Sequence, residues 1–179
     1  MQPDRTMTET VKAMAQDAGF ARAGVAPAGL APHADAFDAF LDAGYADGMD
    51  YLARHRAIRR DPRHLVHGAR SVLCLAVGYA PADEAAVASD RPFVARYARG
   101  RDYHRVLKKR CHRLMDRIRG EVGDFTGRAC TDSAPLAERD LAVRAGLGWL
   151  GRNGMLVVPG LGSYVLLAEI VSDLPLAPD

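Results

Sequence analysis

The sequence has few cysteines, few aromatic residues and no long apolar segment. The three cysteines, Cys74, Cys111 and Cys130, are widely spaced, which excludes a disulfide framework and favours a reducing compartment. The longest apolar run, residues 164–171, includes Glu169 and is too short to span a bilayer. Residues 1–16 lack the apolar core of a signal peptide. We therefore expect a cytoplasmic globular protein.

The composition is that of one ordinary folded domain. The chain has 179 residues, of which 49% are hydrophobic and 26% are charged, and 24 Lys and Arg against 22 Asp and Glu leave a net charge of +2. Disordered, collagen-like and coiled-coil classes are excluded by these values. Because a domain usually has about 100–200 residues, residues 1–179 are expected to form a single domain with its own core.

Hydrophobic periodicity predicts interleaved helices and strands. Helices are expected at residues 6–19, 35–43, 49–55, 102–122 and 135–145. Strands are expected at 23–26, 71–79, 125–131, 155–158 and 163–171, with 71–79 central and the last two forming a hairpin. Residues 81–92 form a small-residue, acidic loop. The predicted class is α/β (α+β), with a mixed β-sheet flanked by helices.

The segment GLGWLG at residues 146–151 matches the pattern GxGxxG. A dinucleotide site needs these glycines after a strand and before a helix, whereas here the order of the predicted elements is reversed. A glycine-rich end of a helix is one alternative. A loop that lets a large flat ligand approach the backbone is another.

Asp132 lies between a predicted strand and a predicted helix, in the segment TDSAP. An Asp or Ser before a helix-opening Pro is typical of a helix N-cap. The alternative is a general acid at the mouth of a pocket. That role requires the pKa to rise by roughly 3 units, about 4 kcal/mol, above the ordinary ~3.9.

Residues 91–119 contain nearly half of the cations of the chain. A basic segment can bind phosphates, although it is also the usual composition of a solvated helix face. Tyr97, Tyr103 and His104 add flat and hydrogen-bonding groups to this segment, which favours a nucleic-acid or planar ligand. Metal binding is not expected, because neither His64 with His67 nor Cys111 with His112 has a second pair at ligand spacing.

Several segments together resemble one family. Residues 96–104 (RYARGRDYH), 131–139 (TDSAPLAER) and 145–153 (AGLGWLGRN) are similar to the signatures RYAxGRDYH, (V/T)DSAPxxER and AGLGWxGKN of epoxyqueuosine reductase. Segments 19–26, 49–55, 162–164 and 173–176 fit the same family in the same order. These enzymes are cobalamin-dependent and perform the last step of queuosine modification in tRNA.

The resemblance implies a cobalamin-binding domain related to flavin- and cobalamin-processing folds. It implies that Asp132 donates a proton to the epoxide oxygen, and that polar and aromatic residues surround the cofactor: His55, Tyr97, His104, Arg139, Trp149, Asn153 and Ser163. The expected partner is the tRNA anticodon stem-loop. We infer from the charges that its candidate contacts are Arg101, Arg105, Lys108 and Lys109.

One departure from the family concerns iron–sulfur chemistry. Family members continue into a ferredoxin-like domain that holds two 4Fe–4S clusters, whereas the printed sequence ends at residue 179 and its cysteines lack the ligand spacing. The sequence is therefore either a piece of a longer protein or a short form with a separate electron donor. Three other hypotheses stay open: a non-catalytic cobalamin-binding module, a flavin- or nicotinamide-dependent oxidoreductase, and a tRNA-binding protein.

Overall fold

The computed structural model describes residues 3–80 and 94–179, so the predicted loop at 81–92 lies outside the described residues. No helix in these two stretches is both long enough and apolar enough to cross a membrane. The described helices are α1 (Arg5–Asp17), α2 (Ala34–Asp42), α3 (Asp50–Arg54), α4 (Arg56–Arg60), α5 (Tyr103–Val122) and α6 (Glu138–Arg144). The described strands are β1 (Arg22–Pro27), β2 (Ser71–Gly78), β3 (Gly127–Cys130), β4 (Trp149–Leu150), β5 (Leu156–Val157) and β6 (Val165–Ser172).

Four strands form the main sheet in the order β1-β2-β6-β3. All three pairings are antiparallel, where the sequence suggested a mixed sheet. β2 is an interior strand, as its apolar run predicted. The predicted hairpin of the last two strands is wrong, because β5 pairs with β4 in a separate two-stranded sheet while β6 pairs with β2 and β3.

Helices cover both faces of this sheet, which confirms the predicted fold class. On one face, α1 and α5 enclose a core that includes Val11, Leu73 and Ile170. The apolar stripe of α5 is buried there, and its members are Leu107, Cys111, Leu114, Met115 and Ile118. On the other face, α6 buries Leu141 and Ala142 against the sheet. Each fully buried Leu or Ile contributes about 1.5–3 kcal/mol, so the sheet is fixed from both sides.

The glycine-rich segment 146–151 is used by the backbone of the chain itself. Gly146 has φ +69° and ends α6, with the N–H of Leu147 donating to the carbonyl of Ala142 at 3.0 Å, which confirms the helix-end interpretation. A Cβ at Gly148 would lie 2.1 Å from the carbonyl oxygen of Val157. Gly146 and Gly148 are therefore explained by a helix end and a close strand contact. The GxGxxG pattern does not indicate a dinucleotide site here.

Candidate functional site

The sheet topology brings the candidate catalytic residue to one edge. β2 and β3 are both antiparallel to β6, so they run in the same direction; β2 ends opposite the start of β6, and β3 ends opposite its middle, at Glu169. Asp132 lies two residues beyond the last residue of β3. The first turn of α5 lies beside it and supplies Tyr103 and His104. The start of α5 is fixed by Asp102, whose carboxylate accepts the backbone N–H of His104 at 3.0 Å.

Four side chains form one hydrogen-bonded group, which we call the acid cluster: Asp102, Tyr103, His104 and Asp132. The Tyr103 hydroxyl donates to Oδ2 of Asp132 at 2.6 Å, and His104 Nε2 lies 3.1 Å from the same oxygen. His104 Nδ1 lies 2.9 Å from Oδ1 of Asp102. The rings of Tyr103 and His104 are stacked with their centroids 4.0 Å apart. Asp132 and His104, both expected site residues, are thus in contact. Tyr103, which also contacts Asp132, was predicted only as a flat and hydrogen-bonding group of the basic segment.

The cluster favours a protonated histidine and an ionised aspartate. An imidazole that faces a carboxylate on each nitrogen donates to both only as imidazolium. Accordingly, the hydrogen bond to Asp102, and next that to Asp132, raise the pKa of His104. The hydrogen bond from Tyr103, and next that from His104, lower the pKa of Asp132. Partial burial, together with the bond to Asp132, raises the pKa of Tyr103.

One interpretation of Asp132 is corrected by this geometry. The helix-capping interpretation is wrong, because α6 begins at Glu138, its N-cap residue is Ala137, and no side chain caps it. The hydrogen bond from Tyr103 lowers the pKa of Asp132, opposite to the rise that a general acid requires. Asp132 also has φ +47°, a left-handed conformation that costs a residue with a side chain about 1 kcal/mol or more. The surrounding contacts must hold it there.

An aromatic ledge, formed by Tyr79, Tyr97, Tyr103 and Tyr164 with Arg96, extends from the acid cluster. Tyr97 stands edge-on to Tyr103 with the ring centroids 6.3 Å apart. Tyr164 and Tyr79 make a second edge-on pair at 5.5 Å. The guanidinium of Arg96 lies 4.7 Å from the centroid of the Tyr164 ring. Flat and partly exposed aromatic rings thus lie beside the acid cluster.

The β4–β5 hairpin carries three exposed apolar side chains, Trp149, Leu150 and Met155, which are 55%, 46% and 43% exposed. Asn153 and Arg139 support this hairpin. Oδ1 of Asn153 accepts the N–H of Met155 at 3.1 Å, and Arg139 donates to the carbonyl of Gly154. These two expected site residues therefore shape the loop that carries the exposed side chains.

Two further expected cofactor residues, His55 and Ser163, take no part in the hydrogen bonds described for the acid cluster. His55 is exposed between α3 and α4, and Ser163 is half-buried in the turn before β6. Among residues 3–80 and 94–179, no hydrogen bond or ion pair joins either of them, or Arg139, to the acid cluster. Their predicted cofactor roles stay predictions.

The basic segment divides into structural and exposed cations. Arg110 donates to the carbonyl of Gly19 at 2.8 Å, and Arg117 pairs with Asp17 at 3.4 Å, so both tie α5 to α1 and the loop that follows it. Four expected contacts for RNA are instead exposed. Arg101 lies just before α5, and Arg105, Lys108 and Lys109 lie in its first two turns. Arg91 lies outside the described residues.

Two glutamates near Asp132, one half-buried and one fully buried, were not assigned a role from the sequence. Glu169 is fully buried in β6, and Glu138 is the first residue of α6. Burial and the charge of Asp132 raise the pKa of Glu138 to about 7. Burial, and next the charge of Glu138, raise the pKa of Glu169. A glutamate inside an apolar strand was a visible signal in the sequence.

The sequence of the chain matches a known family of enzymes. Residues 59–133 match the family model described as epoxyqueuosine reductase QueG, DUF1730. The chain is 38% identical over 177 residues to the epoxyqueuosine reductase of Pseudomonas aeruginosa, a match that covers 97% of this chain and 49% of the relative. The chain thus spans about half the length of the curated relatives that it matches.

Solved structures of epoxyqueuosine reductases also align with this chain. An epoxyqueuosine reductase crystallised with an epoxyqueuosine-modified stem loop of tRNA-Tyr aligns with TM-score 0.82 and 27% identity, covering 97% of this chain and 47% of that one. The Bacillus subtilis enzyme, described as having its aspartate-bearing catalytic loop swung out of the active site, aligns with TM-score 0.78, 26% identity and the same coverage. A reductive dehalogenase associated with B12-dependent dehalogenation shares the fold at TM-score 0.60 and 24% identity, covering 99% of this chain and 21% of that one. Over nearly its whole length the chain is similar in sequence and in fold to epoxyqueuosine reductases, of which it spans about half.

Proposed function

We propose that this chain forms the cobalamin-binding and proton-donating part of a tRNA epoxyqueuosine reductase. The observation that carries the proposal is the convergence of Tyr103 and His104 on one oxygen of Asp132, at 2.6 and 3.1 Å, beside exposed aromatic surfaces. The similarity to epoxyqueuosine reductases supplies the substrate class, an epoxide on the wobble nucleoside of a tRNA. The Bacillus subtilis relative, with its catalytic aspartate loop, supports the choice of Asp132.

The acid cluster has the chemistry that epoxide opening requires. Cleaving a carbon–oxygen bond leaves an alkoxide unless a proton reaches the oxygen as the bond breaks. Asp132 is the member of the cluster that presents a carboxyl to the site, and its Oδ2 receives hydrogen bonds from two groups that carry protons at neutral pH. When a bound ligand excludes water from Asp132, desolvation favours the neutral carboxyl, and His104 is the adjacent source of the proton.

The exposed surfaces fit a broad, flat cofactor. Large exposed apolar side chains can mark a binding site, and the segment of β4 and β5 exposes three of them: Trp149, Leu150 and Met155. Tyr97 and the rest of the aromatic ledge add flat rings beside Asp132. We assign cobalamin to these surfaces, with Arg139 and Asn153 holding the hairpin in shape. When bound, cobalamin would supply the low-valent cobalt that reduces the epoxide.

The exposed cations of α5 fit the RNA partner. Lys108 follows His104 by one helical turn, so it lies on the same side of α5, about 6 Å farther along the axis. Arg105 and Lys109 widen this basic face, and the Arg105 side chain is 90% exposed. A phosphate backbone bound here would lie next to the acid cluster. The epoxyqueuosine reductase solved with a tRNA stem loop supports this partner.

Cobalamin binding is tested by titrating the purified chain with cob(II)alamin and recording absorbance and electron paramagnetic resonance spectra. Leu150→Ala is expected to weaken binding roughly fivefold, which corresponds to about 1 kcal/mol of lost apolar contact. Leu30→Ala is the matched control, because Leu30 is comparably exposed in a different segment. Equal affinities for the two variants would remove the hairpin from the cofactor site, and no spectral change in the wild type would contradict the cobalamin assignment.

The proton-donating role is tested with Asp132→Asn in a reaction that contains cobalamin, a low-potential chemical reductant and an epoxyqueuosine-modified anticodon stem-loop. The variant is expected to bind cobalamin like the wild type and to lose roughly 10²–10⁴-fold in reduction rate, the usual contribution of a general acid. Product nucleoside is measured by mass spectrometry. Full activity of the variant would refute the role, and binding without reduction by the wild type would favour the non-catalytic module.

A further inference from the structure

Three arginines lie on α4, and two of them bind the neighbouring helix α2. Arg56 pairs with Asp38 at 2.6 Å and with Asp42 at 2.9 Å. Arg60 also pairs with Asp38, so both arginines hold α4 against α2. Arg59 is half-buried and forms no ion pair within the described stretches of the chain, and its Nε is buried without a hydrogen-bond partner. A cation in this position is unfavourable unless a ligand or water bonds to it.

Arg59 lines a cavity of about 130 Å³ between the start of α2, α4 and the first turn of α6. The apolar part of its wall is formed by Ala31, Ala34, Phe37 and Ala137. The polar side chains that line it belong to His33, Arg59 and Asp140. Because one water molecule takes up about 30 Å³ in the liquid, the cavity has room for roughly four small groups.

Asp140 brings an acceptor to the same cavity. Its side chain is 16% exposed, and its Oδ2 is buried without a hydrogen bond. Arg144 lies 3.7 Å from this oxygen, but it also donates to the carbonyl of Pro27 at 2.8 Å. No ion pair joins Asp140 to Arg59 among residues 3–80 and 94–179, although both line the cavity. The cavity thus combines a charged donor from α4, a charged acceptor from α6 and an apolar wall.

This combination favours a neutral ligand group that has both a donor and an acceptor. A guanidinium has only donors, and a carboxylate has only acceptors. A ligand cation would meet Arg59 and a ligand anion would meet Asp140, whereas a primary carboxamide offers its oxygen to the first and its NH2 to the second. An alkyl stem would pack on the apolar wall, since ligand sites are typically apolar with a few polar groups that fix the orientation.

The cavity adjoins the hairpin that we assign to cobalamin. Asp140 follows Arg139 in the first turn of α6, and Arg139 donates to the carbonyl of Gly154 in the β4–β5 hairpin. One turn of helix therefore contacts both the cavity and the hairpin. The corrin ring of cobalamin carries carboxamide arms on its periphery, and a propionamide arm has two methylenes that fit the apolar wall and a terminal amide that fits the charged groups.

We propose that the cavity binds one propionamide arm of cobalamin, with Arg59 donating to the amide oxygen and Asp140 accepting from the amide nitrogen. This inference rests on the proposed function, because it takes cobalamin as the ligand. It gives Arg59 the partner that the other two arginines of α4 find within the chain. An arm held in this cavity also limits the rotation of the corrin ring against the hairpin.

Titration with cob(II)alamin, followed by absorbance and electron paramagnetic resonance, tests the contact with Arg59. Arg59→Met keeps an apolar stem and removes the unpaired charge, so the variant is expected to fold. We expect it to bind cob(II)alamin about tenfold more weakly or less tightly still, as for the loss of a hydrogen bond from a charged donor. Arg54→Met is the matched control, because Arg54 is an exposed arginine at the end of α3. Equal affinities of these two variants would overturn the proposal.

The contact with Asp140 is tested with three cobalamin monocarboxylic acids, in each of which one propionamide arm is hydrolysed to a carboxylate. The wild type is expected to bind one of them about tenfold more weakly than the other two, because its carboxylate faces Asp140. Asp140→Asn should restore the binding of that acid, since Arg59 then pairs with the carboxylate. Equal wild-type affinities for the three acids, or no recovery in Asp140→Asn, would contradict the proposal even if Arg59→Met misfolds.

Propionamide alone separates this inference from the proposed function. It is titrated into the wild-type chain and into Arg59→Met, and the Ala137 and Asp140 amides are followed by NMR. We expect shifts in the wild type that Arg59→Met lacks, with a dissociation constant in the millimolar range for so small a ligand. If these shifts occur and cob(II)alamin does not bind, the proposed function is wrong and the cavity is a carboxamide site for another ligand. If cob(II)alamin binds while propionamide causes no shift and Arg59→Met binds normally, the inference is wrong and the proposed function stands.

Discussion

Replacing Gly24 with alanine tests how closely β1 approaches the end of α6. A Cβ built on Gly24 would lie 2.0 Å from the carbonyl oxygen of Ala145, whereas ordinary contacts begin near 3.4 Å. It would also lie 3.3 Å from the side chain of Leu147. The oxygen belongs to the backbone at the end of α6, so no side-chain rotation relieves the overlap. Either β1 or the end of α6 must move by more than 1 Å.

Such overpacking in a core costs about 1–3 kcal/mol, a sizeable part of the roughly 5–15 kcal/mol that stabilises a domain. We expect the urea midpoint of Gly24→Ala to fall accordingly, and its Tm to fall by about 2–4 °C for each kcal/mol. Gly120→Ala is the matched control. Gly120 lies in α5 with nothing within 4 Å of an added Cβ, and alanine there is expected to stabilise the chain by about 0.5–1 kcal/mol.

A Gly24→Ala variant as stable as the wild type would refute the described packing of β1 against α6. The substitution also has a functional consequence. The displaced carbonyl lies immediately before Gly146, and the chain then leads into Trp149 and the β4–β5 hairpin. We therefore expect Gly24→Ala to weaken cob(II)alamin binding more than Gly120→Ala does. Equal cob(II)alamin binding by both variants would show that the packing of β1 against α6 does not affect the cofactor site.

Three further predictions concern charge. Asp102→Asn removes the largest cause of the raised pKa of His104, so the histidine should titrate at lower pH in an NMR titration, and an unchanged midpoint would contradict the cluster geometry. In the wild type, folded Glu169 keeps a proton that the unfolded chain loses above about 4.5, so stability should fall as the pH rises from there. Glu169→Gln should flatten that fall in urea unfolding at several pH values, and a wild-type fall retained in the variant would refute it. Replacing Lys108 and Lys109 with alanine should weaken stem-loop binding and reduce its salt dependence by roughly one phosphate contact per lysine, whereas an unchanged salt slope would remove them from the interface.

The elements that local pattern determines were predicted well from the sequence. The helix expected at residues 102–122 is α5, because its apolar residues recur every three or four positions and pack on the sheet. The interior position of β2 followed from its continuous apolar run. Strand pairing was not predictable in this way. β6 pairs with β2, about 90 residues earlier in the chain, and nothing in either apolar run specifies that partner.

The candidate site was predictable only in part, for the same reason. The helix that follows Asp132 begins three residues later than its proline suggested, so Asp132 does not cap it and its side chain bonds to Tyr103 and His104 instead. The contact with Tyr103 depends on α5 and β3 meeting at one edge of the sheet, and sequence spacing does not show this. Glu169 was identifiable as an anomaly within an apolar strand, but its relation to Glu138 required the packing of α6.

The lowered pKa of Asp132 is compatible with a proton-donating role once the acid cluster is considered as one titrating unit. The hydrogen bonds to two carboxylates raise the pKa of His104, and those from Tyr103 and His104 lower the pKa of Asp132, so the cluster favours an imidazolium beside a carboxylate. A ligand that covers Asp132 removes water and makes the ion pair less favourable than a neutral imidazole beside a neutral carboxyl. The proton then needs to cross only the 3.1 Å between Nε2 and Oδ2. The rate of reduction should therefore decrease as the pH rises through the raised pKa of His104, even though Asp132 is the proposed proton donor to the epoxide.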